Sequence, residues 1–166
     1  MENVNKKRTI LSFVFAGLGL LGLLIVIFLN PYSLACLIIG EDEYFTLFQL
    51  IDFDESTQTI MHSMGLVILL VTFIVRFVMF ALEGLMSVLN KENAFKTVAK
   101  INKIFSIIMF VFDAIGCLIV LIFGFVGLGV VGAYSLPLQL VVFGISLASM
   151  IVGIKLNREP KAVEAK

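Results

Sequence analysis

From Ala114 to Ile154 the chain runs forty-one positions, counted inclusively, without one charged side chain. As a helix rising 1.5 Å per residue, that run would be about 62 Å long, twice the roughly 30 Å hydrocarbon core of a bilayer. A soluble fold has no interior deep enough for it, so it must hold most of two membrane spans. The break between them is expected at Gly132-Ala133-Tyr134-Ser135-Leu136-Pro137, which gives a third span of about 104–131 and a fourth of about 138–156. Two apolar runs precede these. One covers about 9–29 and stops at Asn30-Pro31, where proline cannot continue helical hydrogen bonding; the other covers about 64–89.

Composition points the same way: 60% of residues are hydrophobic and 14% charged, against roughly 45–50% and about 25% in soluble domains. The expected fold class is therefore all-α. A single integral membrane four-helix bundle occupies 1–166, with an external loop at 30–61 and a cytoplasmic connector at 90–103. Net charge is zero, and no basic tract is dense enough to track a phosphate backbone, which argues against nucleic acid as a direct ligand.

The basic residues set the expected direction of threading. Of twelve Lys and Arg, all but Arg76 fall in three segments: Lys6, Lys7 and Arg8; Lys91, Lys96, Lys100 and Lys103; and Lys155, Arg158, Lys161 and Lys166. The positive-inside rule places all three in the cytoplasm, so both termini are expected there. Residues 31–61 carry no Lys or Arg but contain Glu41, Asp42, Glu43, Asp52, Asp54 and Glu55, as an external loop would. The first run is longer than the 7–15 apolar residues of a signal peptide. Ser33-Leu34-Ala35-Cys36 is a poor lipoprotein cleavage site, because its aliphatic residue comes one place late and Pro31 intervenes. An uncleaved first span is the expectation.

Several patterns resemble chemistry without supplying its context. Gly17-Leu18-Gly19-Leu20-Leu21-Gly22 matches G-x-G-x-x-G, but a membrane span does not offer the strand before it, the helix after it and the acidic residue that the fingerprint needs, so close helix packing is the reading. Ser12 and Ala16, Gly144 and Ala148, and Ser149 and Gly153 repeat a small-xxx-small spacing. Asp52-Phe53-Asp54-Glu55-Ser56 begins like a calcium loop, yet Thr57 stands where glycine is needed and Ser63 where glutamate is needed. The sole histidine, His62, makes no zinc motif and is expected to be an interfacial polar residue. Cys36 and Cys117 are expected to stay unpaired, being at different membrane depths. No catalytic set, metal site or cofactor is expected, and the chain is read as not an enzyme.

Arg76 and Asp113 are the intramembrane charges. Arg76 lies fifteen positions before Lys91, about 22 Å from that boundary, and Asp113 ten after Lys103, about 15 Å. A charge at such depth costs about 2.5–3.5 kcal/mol on insertion scales and needs a partner or water. At 100° per residue, Gly65, Thr72, Glu83 and Ser87 share a face with Arg76, while Asn102, Ser106, Cys117, Gly124 and Gly127 share one with Asp113. An antiparallel hairpin turning near Ala94 sets Arg76 opposite Asp113, Glu83 opposite Ser106 and His62 opposite Gly127. An intramembrane cluster of Arg76, Asp113, Glu83 and Ser106 is expected, with Glu83 as a second acceptor. Gln139, Ser146 and Gly153 close over it from the fourth span. The cluster reads either as an ion pair fixing helix register or as a proton, ion or ligand site.

Between the second and third spans, Lys96, Lys100 and Lys103 are spaced i, i+4, i+7 and form one basic face following Lys91; Phe95, Val98, Ile101 and Phe105 are expected to supply apolar contacts. This surface suits anionic membrane lipid or a cytoplasmic protein. The leucine-rich stretch Leu82-Glu83-Gly84-Leu85-Met86-Ser87-Val88-Leu89, then Asn93-Ala94-Phe95 and Asn102 entering the third span, resembles the YoaS-like four-span bacterial membrane proteins of unknown function. It departs from them in having Ala94 where proline is expected. The resemblance covers most of the chain and implies a plasma-membrane protein that partners a small cytoplasmic transcription regulator. Three functions follow as expectations: a regulatory or accessory membrane partner; an ion- or proton-coupled transport or channel-like protein using Arg76, Asp113 and Glu83, as a homo-oligomer because four helices leave little room for a pathway; and an immunity protein whose acidic loop intercepts a cationic peptide.

Overall fold

A computed structural model describes residues 2–28, 57–89, 92–128 and 130–156, with side chains placed for 6–28, 64–89, 93–123 and 136–155. Four helices run through them: α1 Glu2–Phe28, α2 Thr57–Val88, α3 Glu92–Leu128 and α4 Val130–Leu156. Each is long and apolar enough to cross a bilayer, so the chain is a multi-pass membrane protein. No span has more than 39% of its residues buried within the bundle. Large side chains such as Ile10, Leu24, Val71, Ile104, Leu118 and Leu140 face outward, and lipid is the phase that accommodates them.

The helix limits depart from the sequence expectation in places. α2 starts at Thr57, inside the segment assigned to the 30–61 loop, and α3 starts at Glu92, so most of the 90–103 connector is helix. α3 ends at Leu128 and α4 begins at Val130, so 132–137 lies inside α4 instead of separating two spans. Pro137 is the eighth residue of α4; membrane helices accept interior proline when the freed carbonyl finds another partner.

Successive helices pack side by side, α1 on α2, α2 on α3 and α3 on α4, with a thinner α1–α4 contact closing the ring. The start of α1, the end of α2, the start of α3 and the end of α4 thus share one end of the bundle. There the Thr9 and Ser87 hydroxyls are 2.6 Å apart. Lys6, Lys7, Arg8, Lys96, Lys100, Lys103 and Lys155 all belong to this end, leaving Arg76 as the described cation in the interior.

Lipid tails are as apolar as leucine, so close packing and polar contacts must hold such helices together. Glycine supplies the close approaches. A Cβ on Gly65 would lie 3.0 Å from the Gly116 carbonyl, and one on Gly116 would lie 3.1 Å from the Gly65 carbonyl. Within G-x-G-x-x-G, a Cβ on Gly19 would lie 3.1 Å from the Phe77 backbone nitrogen and one on Gly22 would strike the Phe73 ring, while Gly17 faces open space. Two of the three glycines are packing positions. Gly144, placed in a packing motif from spacing, also faces open space.

Along its axis the interior alternates. Ile25, Val26, Leu66, Leu69, Phe73, Cys117, Val120 and Val142 form an apolar layer in the half away from the lysines. Thr72, Arg76, Asp113 and Ser146 follow, then Phe15, Ala16 and Phe80, with the Phe15 and Phe80 rings 5.6 Å apart, and then Ser12, Glu83, Asn102 and Ser106.

Candidate functional site

Arg76 stands twelve residues before the end of α2 at Val88 and Ser146 ten before the end of α4 at Leu156, about 18 Å and 15 Å, close to the half-thickness of the hydrocarbon. Helical spacing turns both inward, since each shares its helix face with other buried polar residues: Thr72 and Glu83 on α2, and Gln139 and Ser149 on α4. Asp113 comes from α3 and is fully buried. Its Oδ2 accepts from Arg76 Nη2 at 2.5 Å and from the Ser146 hydroxyl, and its Oδ1 accepts from the Thr72 hydroxyl. That hydroxyl has one proton, shared with the Leu69 carbonyl at 2.8 Å. Arg76 Nη1 donates to the Ser146 carbonyl at 2.9 Å, and Nη2 also reaches Ser146 Oγ at 3.1 Å. Its guanidinium carbon lies 5.6 Å from the centre of the Phe73 ring. Arg76 therefore crosses the bundle diagonally, binding α2 to α3 and α4 at once.

The second acceptor for Arg76 is Ser146, not the expected Glu83. Glu83 is two turns away, about 10 Å along the helix, with the buried Phe80 between them. Glu83 instead accepts from Asn102 Nδ2 at 2.5 Å, and Asn102 Oδ1 lies 3.4 Å from Ser106 Oγ. Asn102 thus stands where Ser106 was expected, one turn along α3. The polar residues form two layers, Arg76–Asp113 and Glu83–Asn102–Ser106, each tying α2 to α3.

In chemical terms the upper layer is internally matched. Two charges cancel, and the carboxylate accepts from an arginine and two hydroxyls, as a buried ion pair must if Coulombic attraction is to offset desolvation. Among the described residues no cluster of His, Cys, Asp and Glu could hold a metal. Cys117 is a buried free thiol; Cys36, the 31–56 segment with its acidic run, and the side chain of His62 lie outside the described residues.

Asp113 is twenty-one residues from the start of α3 at Glu92, about 32 Å along the helix. With Asp113 at mid-membrane, the first ten or so residues of α3 overrun the hydrocarbon by about 15 Å. On this extension Lys96 and Lys100 are exposed and Lys103 half-buried, while Phe95 and Ala99 turn inward; Lys91 lies outside the described residues. The Arg8 guanidinium sits 4.9 Å from the Phe95 ring centre, a cation–π contact joining α1 to the extension. Thr97 donates to the Asn93 carbonyl at 3.1 Å. Of the expected apolar contacts, Phe95 and Val98 turn inward, whereas Ile101 and Phe105 face outward. Ala99, fourteen positions before Asp113, shares its face at helical spacing, whereas the Arg8–Phe95 contact has no signal in the sequence.

No protein-family model, curated protein or solved structure matches the chain.

Proposed function

We propose that this is a non-enzymatic accessory protein of a bacterial plasma membrane, which docks a cytoplasmic protein on the basic extension of α3. The observation that carries the reading is the unbroken helix from Glu92 into the span, with Lys96 and Lys100 exposed on its overrun. A helix continuous with a membrane span presents its face at a fixed height and angle, which a tethered loop does not. Supporting this, the Arg76–Asp113 layer satisfies its own charges and serves as a bolt between helices. The gathering of the other described basic residues at one end supports a cytoplasmic location for that end and for both termini. A small transcription regulator is proposed as the docked protein because that is the partner the sequence resemblance to YoaS-like proteins implies.

A photo-crosslinking residue at position 100 tests the reading in cells. A discrete cytoplasmic adduct is expected, and it should disappear when Lys96 and Lys103 are changed to Gln. Adducts to lipid alone would refute docking.

A further inference from the structure

The contact that closes the ring, α1 against α4, is thinner than the three between successive helices. In the lysine-bearing half, Leu11 and Leu18 of α1 and Ala148 and Val152 of α4, all half-buried, converge on the Phe15–Phe80 cluster and mark this seam. Helical spacing sets a stripe along the outer flank of each helix there. On α1, Val14 and Leu18 come seven and eleven positions after Lys7; on α4, Ile151, Ala148 and Gly144 come four, seven and eleven positions before Lys155. Val14 and Ile151 are 52% and 39% exposed, and a Cβ on Gly144 would meet nothing within 4 Å. Between the stripes runs a shallow apolar furrow with Leu18 and Ala148 on its floor. Each wall ends in an exposed lysine, Lys7 or Lys155, which makes no ion pair among the described residues.

We propose that this furrow binds one anionic phospholipid, its phosphate held between Lys7 and Lys155 and one acyl chain lying over Ala148 and Gly144. Height is the first argument. Lys155 is nine residues beyond Ser146, which Arg76 touches, so it stands about 14 Å from mid-membrane. Gly19 packs on Phe77, the neighbour of Arg76, and Lys7 lies twelve residues before Gly19, about 18 Å out. Both positions flank the hydrocarbon edge at about 15 Å, and flexible lysine stems bring both ammonium groups to the phosphates just beyond it. Length is the second argument. From Lys155 to Gly144 is eleven residues, about 17 Å, and from Lys7 to Leu18 the same, which is one leaflet of hydrocarbon. The missing side chain of Gly144 thus widens the furrow where an acyl chain ends. Charge is the third. Two ammonium groups suit a headgroup with a net negative charge, whereas a zwitterionic headgroup brings its own cation to compete with them. Lys96 and Lys100 take no part, so the site stands whether or not the α3 extension docks a protein.

Native mass spectrometry of the purified full chain in detergent, titrated with phosphatidylglycerol or phosphatidylcholine, counts the lipids that remain bound. The first phosphatidylglycerol should bind about tenfold more tightly than phosphatidylcholine. Lys7→Gln/Lys155→Gln should remove that preference, and Gly144→Leu, which keeps both lysines, should weaken the first binding event severalfold. Lys96→Gln/Lys100→Gln should leave it unchanged, which separates this result from docking on α3. All of these positions are at the surface or in open space, so the variants should fold, as circular dichroism can verify. Equal binding of the two lipids by the wild type overturns the proposal. So does a preference that survives the Lys7 and Lys155 changes, or one lost on changing Lys96 and Lys100 instead.

Discussion

Removing one partner of the Arg76–Asp113 pair should cost far more than removing both. Asp113→Asn leaves Arg76, Thr72 and Ser146 competing for one amide oxygen where two carboxylate oxygens stood. Arg76→Met leaves a buried carboxylate with two hydroxyl donors. Each single change should cost about 3–5 kcal/mol, the usual penalty for orphaning a buried charge. The double variant Arg76→Met/Asp113→Leu removes both charges and leaves two hydroxyls. Thr72 already has the Leu69 carbonyl at 2.8 Å, and Ser146 can turn to its own helix as Ser149 does to the Ile145 carbonyl at 2.7 Å. The double should therefore cost only about 1–2 kcal/mol, a departure from additivity of at least about 4 kcal/mol. SDS titration of the protein in mixed micelles, followed by circular dichroism, gives the four stabilities. A double that loses the sum of the singles refutes the pairing. The exchange Arg76→Asp/Asp113→Arg should recover part of the loss, and no recovery would count equally against it.

Other expectations concern packing, access and threading. Gly65→Ala should destabilise by about 1–3 kcal/mol through overpacking against the Gly116 carbonyl and Val120, whereas Gly144→Ala should stay within about 0.5 kcal/mol; equal effects in the same titration would contradict the α2–α3 approach. In a Cys36→Ala background, a polar maleimide should modify Cys117 only after denaturation, because the thiol is buried in the core; rapid labelling of folded protein would contradict its burial. With both native cysteines replaced, Lys7→Cys and Lys100→Cys should be shielded from an impermeant thiol reagent in intact cells and labelled after lysis. Labelling of either in intact cells reverses the proposed threading.

The helices were legible because apolar run length and charge placement are direct consequences of bilayer thickness. The facing of Arg76 and Asp113 was legible too, since two inward stripes at helical spacing leave few pairings in an antiparallel hairpin. The exact register was not. Glu83 meets Asn102 one turn from the expected Ser106, because the flexible arginine tolerates a shift along the axis while the glycine contact of Gly65 with Gly116 decides it. Gly116 carries no periodic signal; its importance appears only when a second backbone lies against it. The α3–α4 break was misplaced for a related reason. Proline marks a probable helix end in water, yet inside the membrane Pro137 sits within a continuing helix.

The short link between α2 and α3 bears on how the protein enters the membrane at all. Only residues 89–91 separate the two helices, so Arg76 and Asp113 emerge from the ribosome close together and on chain segments that fold back on each other. Neither charge has to cross into lipid alone. α2 and α3 should partition as one hairpin with Arg76 and Asp113 already matched, and α4 should arrive afterwards to contribute Ser146 and lock the arrangement during biogenesis. A chain cut within that link would be expected to insert poorly even if both pieces were made together, because the pair would then have to find each other after each had entered alone.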